Sequence, residues 1–261
     1  MTGFRPGDDP EQARWAGSIA GEFCTVSGIV GVGFPRYLRL FHPAYLDGPD
    51  GAQAGRGAST VSWASVARFN ERVFHPLAVW PGIAPFAQDE YNAGQLGLYD
   101  TPPVHGSTPP EVLEPLTGVL AGMPHPPREL WFGYWEGMGY DGDQIAEAGT
   151  SFDLLPERTS YLLYRGGLDC LTTSVVRDSG YGTHQSVHMC WPADHAWVLG
   201  VDVDLNTSYL GCGHGLFDAV QACPDIESAE VGGEALVSYD QDRINAVVNP
   251  YNRMLTRDES G

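Results

Sequence analysis

Two histidine–cysteine pairs give the sequence its sharpest metal-binding pattern. His188 and Cys190 are separated by one residue, and so are Cys212 and His214. Histidine nitrogen and cysteine sulfur are the ligands that structural zinc prefers, and residues two apart project from one face of an extended strand. The four side chains therefore predict a Cys2His2 zinc site as an alternative. The favoured prediction is no cofactor, because the spacing is not that of a zinc finger or ribbon and both residue types are common in buried cores.

A pair of carboxylates follows the first histidine–cysteine pair. Asp202 and Asp204 form a D-x-D pattern, which can bridge a divalent cation to a substrate phosphate. In a metal-dependent enzyme, most simply a hydrolase built on residues 184–214, either carboxylate would be the base or a further ligand. The simpler interpretation is that both carboxylates occupy the solvent face of a half-buried strand.

Aromatic and acidic side chains are interleaved over residues 131–143. Paired carboxylates beside aromatic rings suit acid–base chemistry on sugars, whereas buried aromatic rings flanked by charges are typical of a protein-binding hot spot. The alternative is that the aromatic residues are one face of a core strand. We favour partner binding, and the predicted contact residues are Trp131, Tyr134, Trp135, Glu136, Tyr140, Asp141 and Asp143.

The charge of the chain limits its partners. Among its 261 residues are 14 arginines and no lysine, against 33 acidic residues, and the formal net charge is −19. Phosphate contacts need a basic patch, so the balance argues against nucleic-acid binding. The absence of lysine excludes Schiff-base and P-loop lysine chemistry. A strongly negative field instead favours a basic protein partner and repels anionic membranes.

Cysteine usage and hydropathy indicate the compartment. The chain has five cysteines and no C-x-x-C, which predicts reduced thiols. No stretch approaches the ~20 apolar residues of a membrane span, and the first residues show no apolar signal-peptide core. The sequence therefore predicts a cytoplasmic protein that does not enter the membrane.

The elements that position these residues are mixed. Residues 196–205 alternate as a strand, with Asn206, Thr207 and Ser208 as N-cap residues of the next helix. Further strands are predicted at residues 37–41, 130–136, 161–164 and 235–239. Helices are predicted to begin at Asp9, at Ser62, at a Thr108 capping box and at Asp240 or Asp242, and Pro115 predicts a kink or a later start in the third.

These elements show no βαβ rhythm, so the predicted fold is a single compact α+β domain over residues 1–261, with a mixed or mostly antiparallel sheet and helices packed on it. Flexible loops are predicted at about 44–60 and 84–110 from their Gly, Pro and Asp content. A loose organisation into two halves, divided near residue 150, is compatible with the pattern.

Several motifs resemble a family of actinobacterial hypothetical proteins. They are W-F-G-Y-W-E-G at 131–137, Y-L-L-Y-R-G at 161–166, W-P-A-D-H-A-W at 191–197, V-D-V-D at 201–204 and S-Y-L-G at 208–211. The resemblance covers most of the chain and implies an actinobacterial source, but no activity. The sequence departs from the family pattern at Cys190, Cys212 and His214, so the resemblance does not imply a metal site.

The sequence contains no complete catalytic constellation, and it has no G-x-S-x-G motif. The favoured function is therefore a non-enzymatic acidic binding or regulatory protein, similar to an immunity protein that neutralises a basic partner. One alternative is the metal-dependent enzyme described above. Another is a subunit of a larger assembly that docks through residues 84–110.

Overall fold

The computed structural model describes residues 3–47, 59–84, 94–139, 147–154, 160–176, 185–238 and 241–245. The helices are α1 (Pro10–Ser18), α2 (Val26–Val30), α3 (Trp63–Phe69), α4 (Trp80–Ile83), α5 (Pro110–Ala121) and α6 (His214–Gln221). The strands are β1 (Arg5–Pro6), β2 (Arg36–Phe41), β3 (Ala44–Leu46), β4 (Ser59–Val61), β5 (Leu130–Trp135), β6 (Ser151–Phe152), β7 (Tyr161–Gly166), β8 (Met189–Pro192), β9 (Trp197–Gly200), β10 (Thr207–Cys212) and β11 (Ser228–Val231).

Nine of these strands form one antiparallel sheet in the described part of the chain. Its order is β1–β7–β5–β8–β9–β10–β2–β11, with β6 also paired to β7. Strands β3 and β4 form a separate two-stranded sheet. The prediction of an α+β domain with a mostly antiparallel sheet is confirmed. Strands from both sides of residue 150 alternate within the sheet, so a division there does not separate it.

Both faces of the sheet are covered. Helices α5 and α6 bury Leu113, Leu116 and Phe217 against one face, and helices α1 and α2 bury small and branched residues against the other. The central strands are therefore apolar on both sides, as expected when a sheet lies between two helical layers. No helix among the described residues is long and apolar enough to cross a membrane.

A third apolar cluster surrounds the β3–β4 sheet. Phe41, Trp63, Trp80 and Tyr99 form a chain of tilted or edge-to-face rings whose centroids lie 4.9–5.2 Å apart. Such arrangements stabilise aromatic pairs beyond the area that they bury. This lobe carries α3 and α4 at one side of the sheet.

Two predicted helix starts have the expected caps. The Asp9 carboxylate accepts a hydrogen bond from Glu11 N at 2.8 Å, and the Ser62 hydroxyl accepts one from Ser65 N at 3.2 Å. These bonds satisfy backbone donors that have no partner within the first turn. The helix predicted at the Thr108 capping box is also present, but its N-cap is Pro109 and has no side-chain bond. Helix α5 runs from Pro110 through Pro115, so the predicted later start is wrong.

The prediction around residue 200 is partly wrong. Strand β9 has only four residues and ends at Gly200, and Asp202 and Asp204 lie in the turn that follows. Thr207 and Ser208 do not cap a helix but begin strand β10, which pairs with β9 and β2. The predicted helical residues Leu216, Phe217 and Val220 do occupy the next helix, α6.

The last predicted strand is also wrong. Leu236 makes only an isolated bridge to Thr25, and β11 is the last strand among the residues that the structure describes. The carboxylate of Asp242 accepts bonds from Ile244 N and Asn245 N, as a cap would, but residues 241–245 are not helical. Asp240 lies outside the described residues.

Candidate functional site

Two of the predicted groups of residues meet at one end of the sheet. Strand β5 ends at Trp135, β8 begins one residue after His188, and β9 ends two residues before Asp202. Because neighbouring strands are antiparallel, these three points lie side by side. Trp135 N donates to His188 Nδ1 at 3.2 Å. We call this region the polar end, and its titratable residues are His42, His105, His188, Asp202 and Asp204.

His188 is held as a neutral imidazole. Its side chain is 3% exposed, and burial lowers its pKa to about 4, although Asp202 opposes this shift. Nδ1 accepts from Trp135 N, so the proton belongs on Nε2. The Gln185 amide nitrogen lies 3.4 Å from Nε2 and donates to the carbonyls of Gly106 and Ser186 at 3.2 Å each. The bond from Trp135 N already uses the lone pair of Nδ1 that a second proton would need, so it opposes protonation of the ring.

A small cavity lies beside this histidine. It measures about 20 Å³ and is lined by His188, Asp202 and Tyr161 together with apolar residues from α2 and β8. A volume of this size holds about one water molecule. The cavity is therefore too small for an organic substrate.

A second histidine at the polar end belongs to a hydrogen-bonded chain. His42 Nδ1 donates to Val104 O at 2.7 Å, and Nε2 accepts from the Ser208 hydroxyl at 2.8 Å. The Thr108 hydroxyl lies 2.7 Å from that of Ser208 and donates to it, since the proton of Ser208 is already used. Burial lowers the pKa of His42 to about 3. A serine next to a histidine resembles a nucleophile with its base, but both side chains are fully buried, so the chain works as a structural clamp.

The backbone of the D-x-D segment packs against the segment before α5, while Asp202 is half-buried and Asp204 is exposed. Gly106 N donates to Leu205 O at 2.9 Å. Gly106 has φ +69°, and a Cβ there would approach Val203 O to 2.7 Å, so only glycine fits this close contact. Burial lowers the pKa of His105, and Asp204 partly offsets that shift. The D-x-D segment is thus packed against another loop rather than placed on the solvent face of a strand.

The predicted zinc ligands are spread over different environments. Cys190 and Cys212 pack in the core between the sheet and α5 and α6, and His214 is exposed at the start of α6. Burial raises the pKa of Cys212 to about 12 and that of Cys190 well above its usual value, which disfavours the thiolate that binds metal. Among the residues that the structure describes, no three His, Cys, Asp or Glu side chains form a group that could hold a metal ion.

The predicted partner-binding residues also differ in their exposure to solvent. Trp131 is 4% exposed and Tyr134 is fully buried, on opposite faces of β5. Both side chains are packed inside the protein, because both faces of the sheet are covered. Trp135 is half-buried and Glu136 is exposed, so these two remain accessible. Tyr140, Asp141 and Asp143 lie outside the described residues.

One concave site with a clear chemical character was not predicted. It is a cleft of about 380 Å³ between α5, the start of α3 and the segment before β11, and we call it the acidic cleft. Its lining residues are Phe41, Pro43, Thr60, Ser62, Glu111, Val112, Glu114, Pro115, Pro224, Asp225 and Glu227. Four of these are acidic, and none of these described lining residues is basic.

Two carboxylates of the acidic cleft are held in place by other groups. Glu227 accepts from Trp63 N at 2.6 Å and from Ala64 N at 2.8 Å, so it caps α3. Burial raises the pKa of Glu227, and these two bonds offset part of the shift. The buried Tyr45 hydroxyl donates to Glu111 at 3.1 Å. The other two carboxylates, Glu114 and Asp225, are exposed at the rim.

The sequence carries only a weak signal for this cleft. Glu111 and Glu114 are three residues apart, which places them on one face of a helix, and Asp225 and Glu227 flank a buried isoleucine. The two pairs are more than 100 residues apart in the chain. Only the packing of α5 beside the segment before β11 brings them together.

No protein-family model, curated protein or solved structure matches the chain. Its function is therefore argued from its own residues.

Proposed function

We propose that the protein is a non-enzymatic acidic binding protein whose acidic cleft receives a cationic side chain of a basic protein partner. The observation that carries this proposal is the grouping of four carboxylates in one concave site without a basic residue among its described lining residues. In this mode the protein resembles an immunity protein, which recognises a basic partner through charge and a few buried contacts.

The positions of the four carboxylates support binding rather than simple solvation. Glu111 and Glu227 are half-buried and fixed by hydrogen bonds from Tyr45 and from α3. Groups that are already ordered lose less conformational freedom on binding, and charges in a partly desolvated site interact more strongly than charges in water. Fixed carboxylates at the base and exposed ones at the rim suit a guanidinium or ammonium group that enters from solvent.

The charge of the whole chain supports the same function. A net charge of −19 accelerates the encounter with a positively charged partner, and salt weakens this effect. The acidic cleft then supplies the local contact that the long-range field lacks. We expect the association rate to fall with salt, and the dissociation rate to depend on the cleft residues.

The test compares two variants that lose the same charge. The cleft variant carries Glu111→Gln, Glu114→Gln and Asp225→Asn, which keep the shape of each side chain. The control carries Glu136→Gln, just after β5, together with Asp202→Asn and Asp204→Asn at the polar end. Glu227 is left unchanged because it caps α3. Titration calorimetry with an arginine-rich nonapeptide at low salt measures the affinity of each folded variant.

We expect the cleft variant to bind about tenfold more weakly than the wild-type chain, and the control to stay within about twofold. Equal losses in both variants would show that the peptide responds only to net charge. A loss confined to the control would move the partner surface to Glu136 and the polar end.

A further inference from the structure

A short segment near the C-terminus is bound to the rest of the protein in an unusual way. Residues 241–245 contain three polar side chains that are almost fully buried: Gln241 is 8% exposed, Asp242 0% and Asn245 5%. The segment forms neither helix nor strand. Among the described residues, its one backbone–backbone hydrogen bond is local, from Gln241 N to Ser238 O. The segment is therefore held by side chains.

Asp242 occupies a fitted position between α3 and α4. Its carboxylate accepts from His75 Nε2 at 2.9 Å and from Val79 N at 3.3 Å. A Cβ at Gly82 would lie 2.7 Å from its Oδ2 atom, so the glycine leaves just enough room for the carboxylate. Burial alone would raise the pKa of Asp242, but the hydrogen bonds that it accepts outweigh burial and keep that pKa low.

Asn245 is recognised by the backbone of one residue. Its amide nitrogen donates to Val73 O at 2.9 Å, and its amide oxygen accepts from Val73 N at 3.2 Å. This pair of bonds copies the pairing between neighbouring strands. The amide also donates to Asp242 at 2.9 Å, so the two anchor residues support each other.

The receiving residues belong to one continuous stretch, 72–83, and are ordered by their own bonds. Arg72 N donates to Ala67 O, Ala78 N to His75 O and Gly82 N to Val79 O, at 2.8–2.9 Å. None of these bonds involves the bound segment. The backbone around the groups that hold Asp242 and Asn245 is thus ordered by bonds within the protein, as in a preformed peptide-binding site.

The electrostatics of this stretch fit an acidic ligand. The buried Arg39 guanidinium donates to the carbonyls of Pro76 and Ala78 at 3.0 and 2.7 Å, and Asp242 helps to stabilise its charge. In a chain that is strongly acidic overall, a buried cation beside His75 makes this a favourable place for a carboxylate.

We propose that residues 72–83 form a recognition slot for a short peptide that carries Asp and Asn three residues apart. The chain's own residues 241–245 occupy the slot, and the same segment of a second copy can replace them. Exchange of this segment between two copies links them into a dimer, as in other exchanges of identical elements between protomers.

The test uses the full-length chain with Asp242→Asn, which weakens its own segment, and a labelled peptide of residues 238–247. Fluorescence polarisation measures binding. We expect the peptide to bind this variant at least about tenfold more tightly than the wild-type chain, whose slot is occupied. A control peptide with Asp242→Asn should bind at least about tenfold more weakly. No saturable binding to a variant that circular dichroism shows to be folded overturns the proposal.

The wild-type chain gives a second measurement that does not depend on the folding of a variant. Sedimentation equilibrium should show a dimer fraction that rises with protein concentration and falls when excess peptide is added. The control peptide should not lower that fraction. A chain that stays monomeric at millimolar concentration and does not bind the peptide contradicts the proposal.

Discussion

The polar end of the sheet and the acidic cleft contain similar titratable side chains in opposite environments. At the polar end, His42 and His188 are buried, and their ring nitrogens face fixed polar groups of the protein. In the acidic cleft, Glu114 and Asp225 are exposed beside a cavity of about 380 Å³. The first region uses its polar groups to join loops to the sheet. The second has charge available for another molecule.

This difference shows why a concentration of reactive residue types along the sequence is a poor guide to a site. The sequence around residue 200 suggests a metal or catalytic site because histidine, cysteine and aspartate occur close together there. The fold separates them: Cys190 and Cys212 lie in the core, His214 is exposed, and only His188 and Asp202 line a cavity for about one water molecule. The acidic cleft is assembled from three glutamates and one aspartate that lie far apart in the sequence.

The largest expected effect concerns the stability of the polar end in acid. Burial lowers the pKa of His42 to about 3 and that of His188 to about 4, from 6.5. Unfolding lets both rings bind protons, so their contribution is complete above about pH 6.5 and is lost as the pH falls towards those values. Urea unfolding should show the free energy of unfolding falling by roughly 1.4 kcal/mol per pH unit for each ring. A constant value between pH 6.5 and 4.5 would contradict the assignment of neutral, buried rings.

The next largest effect should be the loss of stability when His42 is removed from the hydrogen-bonded chain at the polar end. His42→Ala leaves the Ser208 hydroxyl and the Val104 carbonyl without their partner and creates a cavity in a fully buried site. We expect a loss of about 3 kcal/mol in the free energy of unfolding, measured by urea titration. Binding of the arginine-rich peptide by the folded variant should be unchanged. A loss of peptide binding without a loss of stability would contradict this assignment. It would place peptide binding at the polar end and not at the acidic cleft.

A smaller effect should appear in the pH dependence of binding at the acidic cleft. Because burial raises the pKa of Glu227, this carboxyl group should become protonated at a higher pH than an ordinary glutamate. Affinity for the peptide should therefore fall as the pH is lowered, by roughly threefold before the rim carboxylates begin to titrate. Calorimetry on Glu227→Gln provides the comparison, since its affinity should fall only at lower pH. Superimposable pH curves would exclude a role for Glu227 in binding.

The smallest expected signal is the metal content. Elemental analysis of the untagged protein should find less than about 0.1 zinc per chain, because Cys190 and Cys212 are buried as protonated thiols and His214 is exposed elsewhere. One zinc per chain, lost on Cys212→Ala, would restore the zinc hypothesis and give the region around residue 200 a chemical role.

Local patterns predicted several elements correctly. The apolar run at β5 and the caps at Asp9 and Ser62 correspond to real elements, because each depends on neighbours in the chain. The alternation within β9 also placed Trp197 and Val198 on opposite faces. The α+β class followed from the mixture of such elements.

The predictions are wrong where contacts between distant parts of the chain determine the local structure. Thr207 and Ser208 favour a helix cap locally, but pairing with both β2 and β9 makes them part of a strand. Thr108 is drawn away from its capping position by Ser186 and Ser208. The acidic cleft depends on the packing of α5 next to Glu227, which no local pattern records.

Pro115 gives the wall of the acidic cleft an additional property. A proline has no N–H, so it cannot supply the bond that the carbonyl of Glu111 would accept in a regular helix. Both residues line the cleft. We expect this carbonyl oxygen to be an acceptor for a bound ligand, one that acid does not neutralise and that salt screens little. The affinity of such an acceptor for a ligand depends on the number and direction of the ligand's N–H groups. A guanidinium has five such groups in a rigid plane and an ammonium has three, so we expect the cleft to favour arginine over lysine.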